Sequence, residues 1–240
     1  LKKFGLYGLF MFQPLMETGF LPWTNILLVL LVCNVIWVGY VTVNQKRLDL
    51  LLGNSSVMHM GYIFLAFAAL VASGSAEANP WALKGAALLM LAHGLTIALL
   101  FLLCGQIEKQ TGTLEINSLG GLSTRLPRMA FVFGLAGMAS IGLPGLANFP
   151  GEFMVFFSGF AGFENGFGPV QIATILCLWG LVIGAVYMLR AYRNIFQGDL
   201  SKAAAYATEL LPAERAANYF LVITLVVFGF LPDLVLQFFS

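Results

Sequence analysis

The chain has 240 residues, 60% of them hydrophobic and only 10% charged, with a formal net charge of +1 and a mean hydropathy of +0.89. A soluble domain carries about 25% charged residues, so the composition excludes one and indicates a polytopic membrane protein. The near-neutral charge, with no basic cluster, argues against a nucleic-acid partner.

Residues 1–13 read as the end of a membrane helix closed by Pro14, with Lys2 and Lys3 about 15 Å before that end at 1.5 Å per residue. The chain starts inside this helix-like segment, which suggests that an N-terminal portion is missing. After a loop at 14–23 whose one charge is Glu17, residues 24–43 form an uncharged span. A polar connection follows at 44–49. The next span is read at 55–73, with Asn54, Ser55 and Ser56 as N-cap candidates and His59 about one turn inside. A loop at 74–80 ends in Asn79-Pro80, a helix-start signal. Residues 81–104 span again, with Lys84 near the start and His93 at the middle, before a polar loop at 105–127.

Residues 128–162 would extend about 52 Å as one helix, against a hydrocarbon core of about 30 Å. Pro144 and Pro150 fall inside this run together with Gly142, Gly145 and Gly151. Proline removes a backbone donor and clashes with the preceding turn, so two half-helices around a break at 142–151 are expected. Residues 168–189 span and run into Arg190 and Arg193. Residues 198–215 read as an amphipathic surface helix ending near Pro212, and the last span starts at 216 and extends past Pro232. The total is a single membrane domain over 1–240: an all-α fold of about six full spans plus one partial, with one span broken.

Basic residues set the orientation. Loops 44–54, 105–128 and 190–215 contain nine of the twelve lysines and arginines, whereas loops 14–23, 74–80 and 163–167 contain none. The positive-inside rule puts the first set on the cytoplasmic side or its equivalent.

Five ionisable residues fall within membrane segments: Lys3, His59, Lys84, His93 and Glu152. Each has a plain reading and a functional one. Lys3 and Lys84 can snorkel to an interface, His59 can cap a helix, and His93 can be a packed, hydrogen-bonded core residue. Glu152 is the hardest to explain by packing, because an intramembrane carboxylate is expensive and marks a functional site by default. Taken together, Lys, His and Glu suit a proton relay: burial favours the neutral form of each acid or base, and a neighbouring charge then tips its protonation. Cys33, Cys104 and Cys177 have no metal or disulfide spacing and read as small buried side chains. No nucleotide, P-loop, zinc-protease or nucleophile-elbow motif is present, and none for quinone or flavin, so no cofactor is expected in this chain.

Several stretches resemble one family. They are Gly53-Asn-Ser-Ser-Val-Met-His-Met-Gly-Tyr62, Leu91-Ala-His-Gly94, Leu99-Leu-Phe-Leu-Leu-Cys-Gly-Gln106, Leu119-Gly-Gly-Leu122 and Gly142-Leu-Pro-Gly-Leu-Ala-Asn-Phe-Pro-Gly-Glu-Phe-Met154. In this order they resemble the antiporter-like proton-pumping subunits of respiratory complex I (NADH-quinone oxidoreductase), of the subunit M type. Lys3-Phe-Gly-Leu-Tyr-Gly8 is similar to the segment of the eighth of the family's fourteen spans. The resemblance covers nearly the whole chain and makes it the C-terminal half of such a subunit. It implies that Lys3 bridges two half-channels, that His59 and His93 belong to the tenth and eleventh helices, with His93 the central relay, and that Glu152 is the terminal acid on the broken twelfth helix. In related subunits the last position is a lysine, which favours subunit M.

The family's fifth-helix glutamate and seventh-helix lysine have no counterpart here. A second departure is Arg47-Leu-Asp49, where the family has its acidic and basic positions in the opposite order. The resemblance implies a non-redox translocase subunit that couples quinone reduction elsewhere in the complex to proton pumping. Its partners would be neighbouring antiporter-like membrane subunits and the lipid bilayer, in a bacterial inner membrane or equivalent energy-converting membrane. Other readings stay open: a subunit of an Mrp-type sodium/proton antiporter, a subunit of a membrane-bound hydrogenase, or a scaffold in which Lys3 and Glu152 are merely packed.

Overall fold

The computed structural model describes residues 2–12, 21–161 and 166–239, and they are helical nearly throughout. The chain runs through α1 (Lys2–Phe12), α2 (Leu21–Cys33), a π-helical turn (Asn34–Val38), α3 (Gly39–Val43), α4 (Leu48–Ser73), α5 (Pro80–Thr111), α6 (Pro127–Ile141), α7 (Asn148–Ser158), α8 (Pro169–Phe196), α9 (Pro212–Phe230) and α10 (Asp233–Leu236). Five helical runs are long and apolar enough to cross a membrane: Trp23–Val43, Leu48–Ser73, Pro80–Thr111, Pro169–Phe196 and Pro212–Phe230. With the α6–α7 pair as the broken span and α1 as the partial one, this is the expected count. Most of the expected loop at 14–23, with Pro14 and Glu17, and part of the loop at 163–167 lie outside the described residues; Leu21–Trp23, expected in the first of these loops, already belong to α2.

Proline and glycine set most boundaries. Pro80, Pro127, Pro169 and Pro212 each occupy a first helical position, where the missing N–H leaves no bond unmade. Four sequence readings are corrected. Helix α4 starts at Leu48, seven residues before the expected position. Leu48, Leu51 and Leu52 continue its buried face, and Asn54, Ser55 and Ser56 lie inside the helix instead of capping it. Helix α5 continues to Thr111, because Gln106 finds a buried partner in Asn218: each amide donates to the other, at 3.3 and 2.9 Å. The helical break covers only 142–147. Pro150 sits in the first turn of α7, where its missing donor costs nothing. Finally, residues 198–211 form turns and extended backbone, not a helix, and Pro212 opens α9 where it was expected to close a helix.

Helices α4 and α5 form the centre, while the π-helical turn, α8 and α9 present Trp37, Trp179 and Phe220 outward. In lipid an apolar exterior costs nothing, so close packing and internal hydrogen bonds must hold the helices together. The α5–α7 contact shows how small residues permit this. A Cβ added at Gly85 would lie 2.9 Å from Val155 N, and one at Gly151 would lie 2.8 Å from Leu89 N.

The alternation inferred from the charges matches the packing. Leu48 N donates to Leu114 O (2.9 Å), Ile116 N to Lys46 O (2.8 Å), Gly121 N to Gln197 O (3.0 Å) and Arg190 Nη2 to Gln45 O (3.0 Å). The three basic segments therefore meet at one end of the bundle, where Lys109 also pairs with Glu214 at 2.8 Å. At the other end, Asn79 Nδ2 donates to Ser158 O (2.9 Å) and Trp81 packs edge-on against Phe157. The exchanged charges at the start of α4 bond each other, Arg47 Nε to Asp49 Oδ1 at 3.1 Å and Nη2 to Oδ2 at 3.0 Å.

Because the α5–α7 contact leaves no room for a side chain, Gly151→Val should destabilise the protein by about 1–3 kcal/mol, the usual cost of overpacking. Denaturant unfolding of the detergent-solubilised protein would measure it, with the exposed Phe153→Leu as a neutral comparison.

Candidate functional site

The site is built around the break. Helix α6 ends in a Schellman turn: Gly142 takes a left-handed conformation (φ +78°), its N–H bonds Ala139 O at 3.1 Å, and Leu143 N bonds Met138 O at 3.1 Å. Gly142 is needed for a second reason. A Cβ there would overlap the carboxylate of Glu152, which lies over it from the second turn of α7.

The turn leaves the Ser140 carbonyl without a helical partner, as for any of the last four carbonyls of a helix. His59, from the middle of α4, fills that role: Nε2 lies 3.0 Å from Ser140 O, and Nδ1 lies 2.8 Å from Ser55 O. A neutral imidazole has one N–H and donates to one of these carbonyls; the doubly protonated ring donates to both. A proton reaching His59 thus meets an acceptor already in place. His59 is buried mid-span and is not the near-terminal residue expected from sequence, because α4 begins at Leu48.

Glu152 is 3% exposed. Its Oε1 stands 3.9 Å from His59 Nε2, beyond direct hydrogen bonding, and has no hydrogen-bond partner among the described residues. His93 from α5 stacks on His59 with ring centroids 4.9 Å apart and planes 18° apart. Ser56 Oγ, one residue from the carbonyl that holds His59, is 3.1 Å from His93 Nε2. The next residue on α5, Gly94, leaves space for Lys3, since a Cβ at Gly94 would lie 3.0 Å from its Nζ. The order across α1, α5, α4 and α7 is therefore Lys3, His93, His59, Glu152. All four of these residues converge, and His59 approaches both His93 and Glu152. Lys84 lies nine residues before His93 on α5, about 13 Å along the helix axis, and does not join them.

The sequence reading missed Ser56, Ser55, Tyr62, Tyr187 and the Ser140 carbonyl. Tyr62 packs edge-on to His59 at 5.4 Å, and Tyr187 Oη lies 2.6 Å from Ser55 Oγ. The spacing Ser55, His59, Tyr62 places three polar residues on one helix face, a legible signal once Ser55 is inside the helix. Nothing in the sequence marks Ser140, because its role belongs to its backbone.

These features define a class: an all-α membrane protein whose interior holds ionisable side chains beside a broken helix. The chain belongs to the family described as NADH:quinone oxidoreductase/Mrp antiporter, TM, which matches residues 1–176. It is 30% identical over its whole length to NADH-quinone oxidoreductase subunit M of Rickettsia felis, covering 46% of that protein. It is 33% identical to NAD(P)H-quinone oxidoreductase chain 4 1 of Synechococcus elongatus over 99% of its length, covering 43% of that protein. The chain thus spans about half the length of the curated relatives it matches. Among solved structures, a chain of respiratory complex I from Thermus thermophilus superposes with a TM-score of 0.82 at 27% identity, over 95% of this chain and 46% of that one. A chain of the Mrp complex from Dietzia sp. shares the fold, with a TM-score of 0.76 at 17% identity over 89% of this chain and 45% of that one.

Gly142→Ala should cost about 1–3 kcal/mol through its positive φ and also push Glu152 away from His59. Thermal unfolding would report the first effect. A changed carboxyl stretching frequency for residue 152 in infrared difference spectra would report the second.

Proposed function

We propose that this chain is a proton-translocating membrane subunit of an NADH-quinone oxidoreductase, and that Lys3, His93, His59 and Glu152 pass charge in that order. The observation that supports it is the succession itself: four ionisable side chains on four helices, inside an apolar bundle, ending at a break whose open carbonyl bonds one of them. A packed scaffold has no need of ionisable groups where hydrocarbon-buried charge is costly. The names of the relatives at 30–33% identity favour the quinone-linked reading over an Mrp antiporter, whose solved relative supports the fold alone.

Each residue has a definable part. Lys3 supplies a positive charge against α5 at Gly94, the neighbour of His93. The stacked rings of His93 and His59 hold one proton in preference to two, because like charges 4.9 Å apart repel, so charge on one side displaces it to the other. Glu152 receives it across a gap of 3.9 Å. The redox chemistry, the electron donor and any bound cofactor belong to other subunits of the complex in this reading.

Glu152→Gln keeps the shape of the side chain and removes its proton affinity. In the assembled complex it should lower proton pumping on the order of a hundredfold or more, the scale on which a proton-transferring side chain acts; normal pumping would refute the relay. Purification of the native complex tests the wider assignment. Flavin- and iron–sulfur-containing partners are expected, and a complex of membrane subunits alone with sodium/proton exchange would make the chain an antiporter subunit.

A further inference from the structure

Helix α7 opens with Asn148, and the next turn of the same face brings Glu152, four residues on. Asparagine at a helix start ordinarily turns its side chain back to cap the free N–H groups. Asn148 does not: Ala147 is the cap residue, no side chain caps α7, and Asn148 is fully buried. Its Oδ1 lies 3.1 Å from the hydroxyl of Thr96, which stands three residues after His93 on α5. Thr96 Oγ1 is also 2.9 Å from Ala92 O. That mid-helix carbonyl has a backbone donor of its own, so the hydroxyl hydrogen is available to the amide oxygen. The opposite end of the amide, Nδ2, has no hydrogen-bond partner among the described residues. One turn further on, Glu152 Oε1 is buried and has none either. An open donor and an open acceptor therefore share one face of one helix. Side chains so spaced start from Cβ atoms about 5–6 Å apart and reach each other by rotation about their own bonds. A buried donor left open costs free energy, so packing alone does not account for an amide whose NH2 end is unused.

We propose that Asn148 is a positioning residue for Glu152: its Nδ2 donates to the Glu152 carboxylate when that group has released its proton, and Thr96 fixes which end of the amide is presented. No proton passes through the amide. Glu152 gives up its carboxyl proton, turns about its side-chain bonds from His59 toward Asn148, and accepts an N–H bond there; reprotonation lets it turn back. The need follows from the site. Once Glu152 has taken a proton from His59 and passed it on, the carboxylate faces a neutral imidazole in an apolar bundle, where burial disfavours the charged form. A neutral amide stabilises that form through a charge-assisted hydrogen bond without holding a proton of its own. A lysine in this place would trap the carboxylate as an ion pair, and a leucine would leave it without a donor. The Thr96 contact also ties the first residue of α7 to α5, one turn from His93, so the amide is held while the carboxylate moves.

This inference rests on the proton-translocating reading above, and one set of variants separates the two. Asn148→Ala, Thr96→Val, Thr96→Ser and Glu152→Gln are made in the assembled complex. Proton translocation into membrane vesicles is measured, and infrared difference spectra between resting and turning-over complex are recorded with isotope-labelled asparagine. In the parent, the carboxyl and carboxylate bands that Glu152→Gln removes should change together with one labelled side-chain amide band. Asn148→Ala should lose that amide band, shift the Glu152 carboxylate band and slow translocation severalfold. Thr96→Val should shift the same carboxylate band and slow translocation, and Thr96→Ser, which keeps the hydroxyl, should retain the parent spectrum. A packing role would lower assembly or thermal stability and leave the carboxylate band in place. An unshifted carboxylate band in Asn148→Ala, with Glu152→Gln inactive, would overturn this role alone. Parent translocation in Glu152→Gln would overturn the relay. Where Asn148→Ala blocks assembly, Thr96→Val against Thr96→Ser decides, and identical carboxylate bands in the two refute the proposal.

Discussion

The hydrogen bond from His59 Nε2 to the Ser140 carbonyl ties the fold to its chemistry. Hydrocarbon offers no water to an open helix end, so a broken helix survives only where protein satisfies the exposed groups. Helix α6 meets most of that need itself through the Schellman turn at Gly142. What remains is given to a titratable ring, and the carboxylate of Glu152 is brought over the same turn by the first two turns of α7. The break therefore places open backbone groups inside an apolar bundle and brings His59 and Glu152 beside them.

The rest of the bundle supports this arrangement. Side chains at Gly85 or Gly151 would push α7 away from α5 and carry Glu152 with it. The reciprocal Gln106–Asn218 amides fasten α5 to α9 toward the basic end, and Asn79 fastens the start of α5 to the end of α7. These contacts are buried and specific. They follow from the weakness of hydrophobic association in lipid, where geometry and hydrogen bonds replace the solvent as the ordering force. Outward-facing Trp37, Trp179 and Phe220 complete an exterior matched to an apolar surround.

The consequences of one misplaced helix start show how local and tertiary information combine. With α4 beginning at residue 55, Ser55 and Ser56 read as caps and His59 as an interface residue. Beginning at Leu48, the same serines are interior: Ser56 holds His93, while Ser55 offers its carbonyl to His59 and its hydroxyl to Tyr187. The competing signals were real, since serine and asparagine favour helix starts. They lost because Leu48, Leu51 and Leu52 bury completely and each inner hydroxyl finds a tertiary partner. The same reason lengthens α5 past Gln106. Pro212 was ambiguous for a different cause, because proline marks a helix start and a helix stop equally well until a partner strand or helix is known.

The sequence by itself determined the class, the number of spans, the side on which the basic loops gather, the existence of a broken helix and the four ionisable residues. These depend on hydropathy, charge counts and proline chemistry, which act locally along the chain. Only the tertiary structure decided how these residues are arranged, with His59 stacked on His93 and 3.9 Å from Glu152, and where the hydroxyls of Ser55, Tyr62 and Tyr187 lie. Both follow from which face of α4 meets α5, α6 and α8, and from a backbone carbonyl at Ser140 that every residue type possesses. No side-chain pattern encodes such a partner; it exists only when the end of one helix is brought against the middle of another.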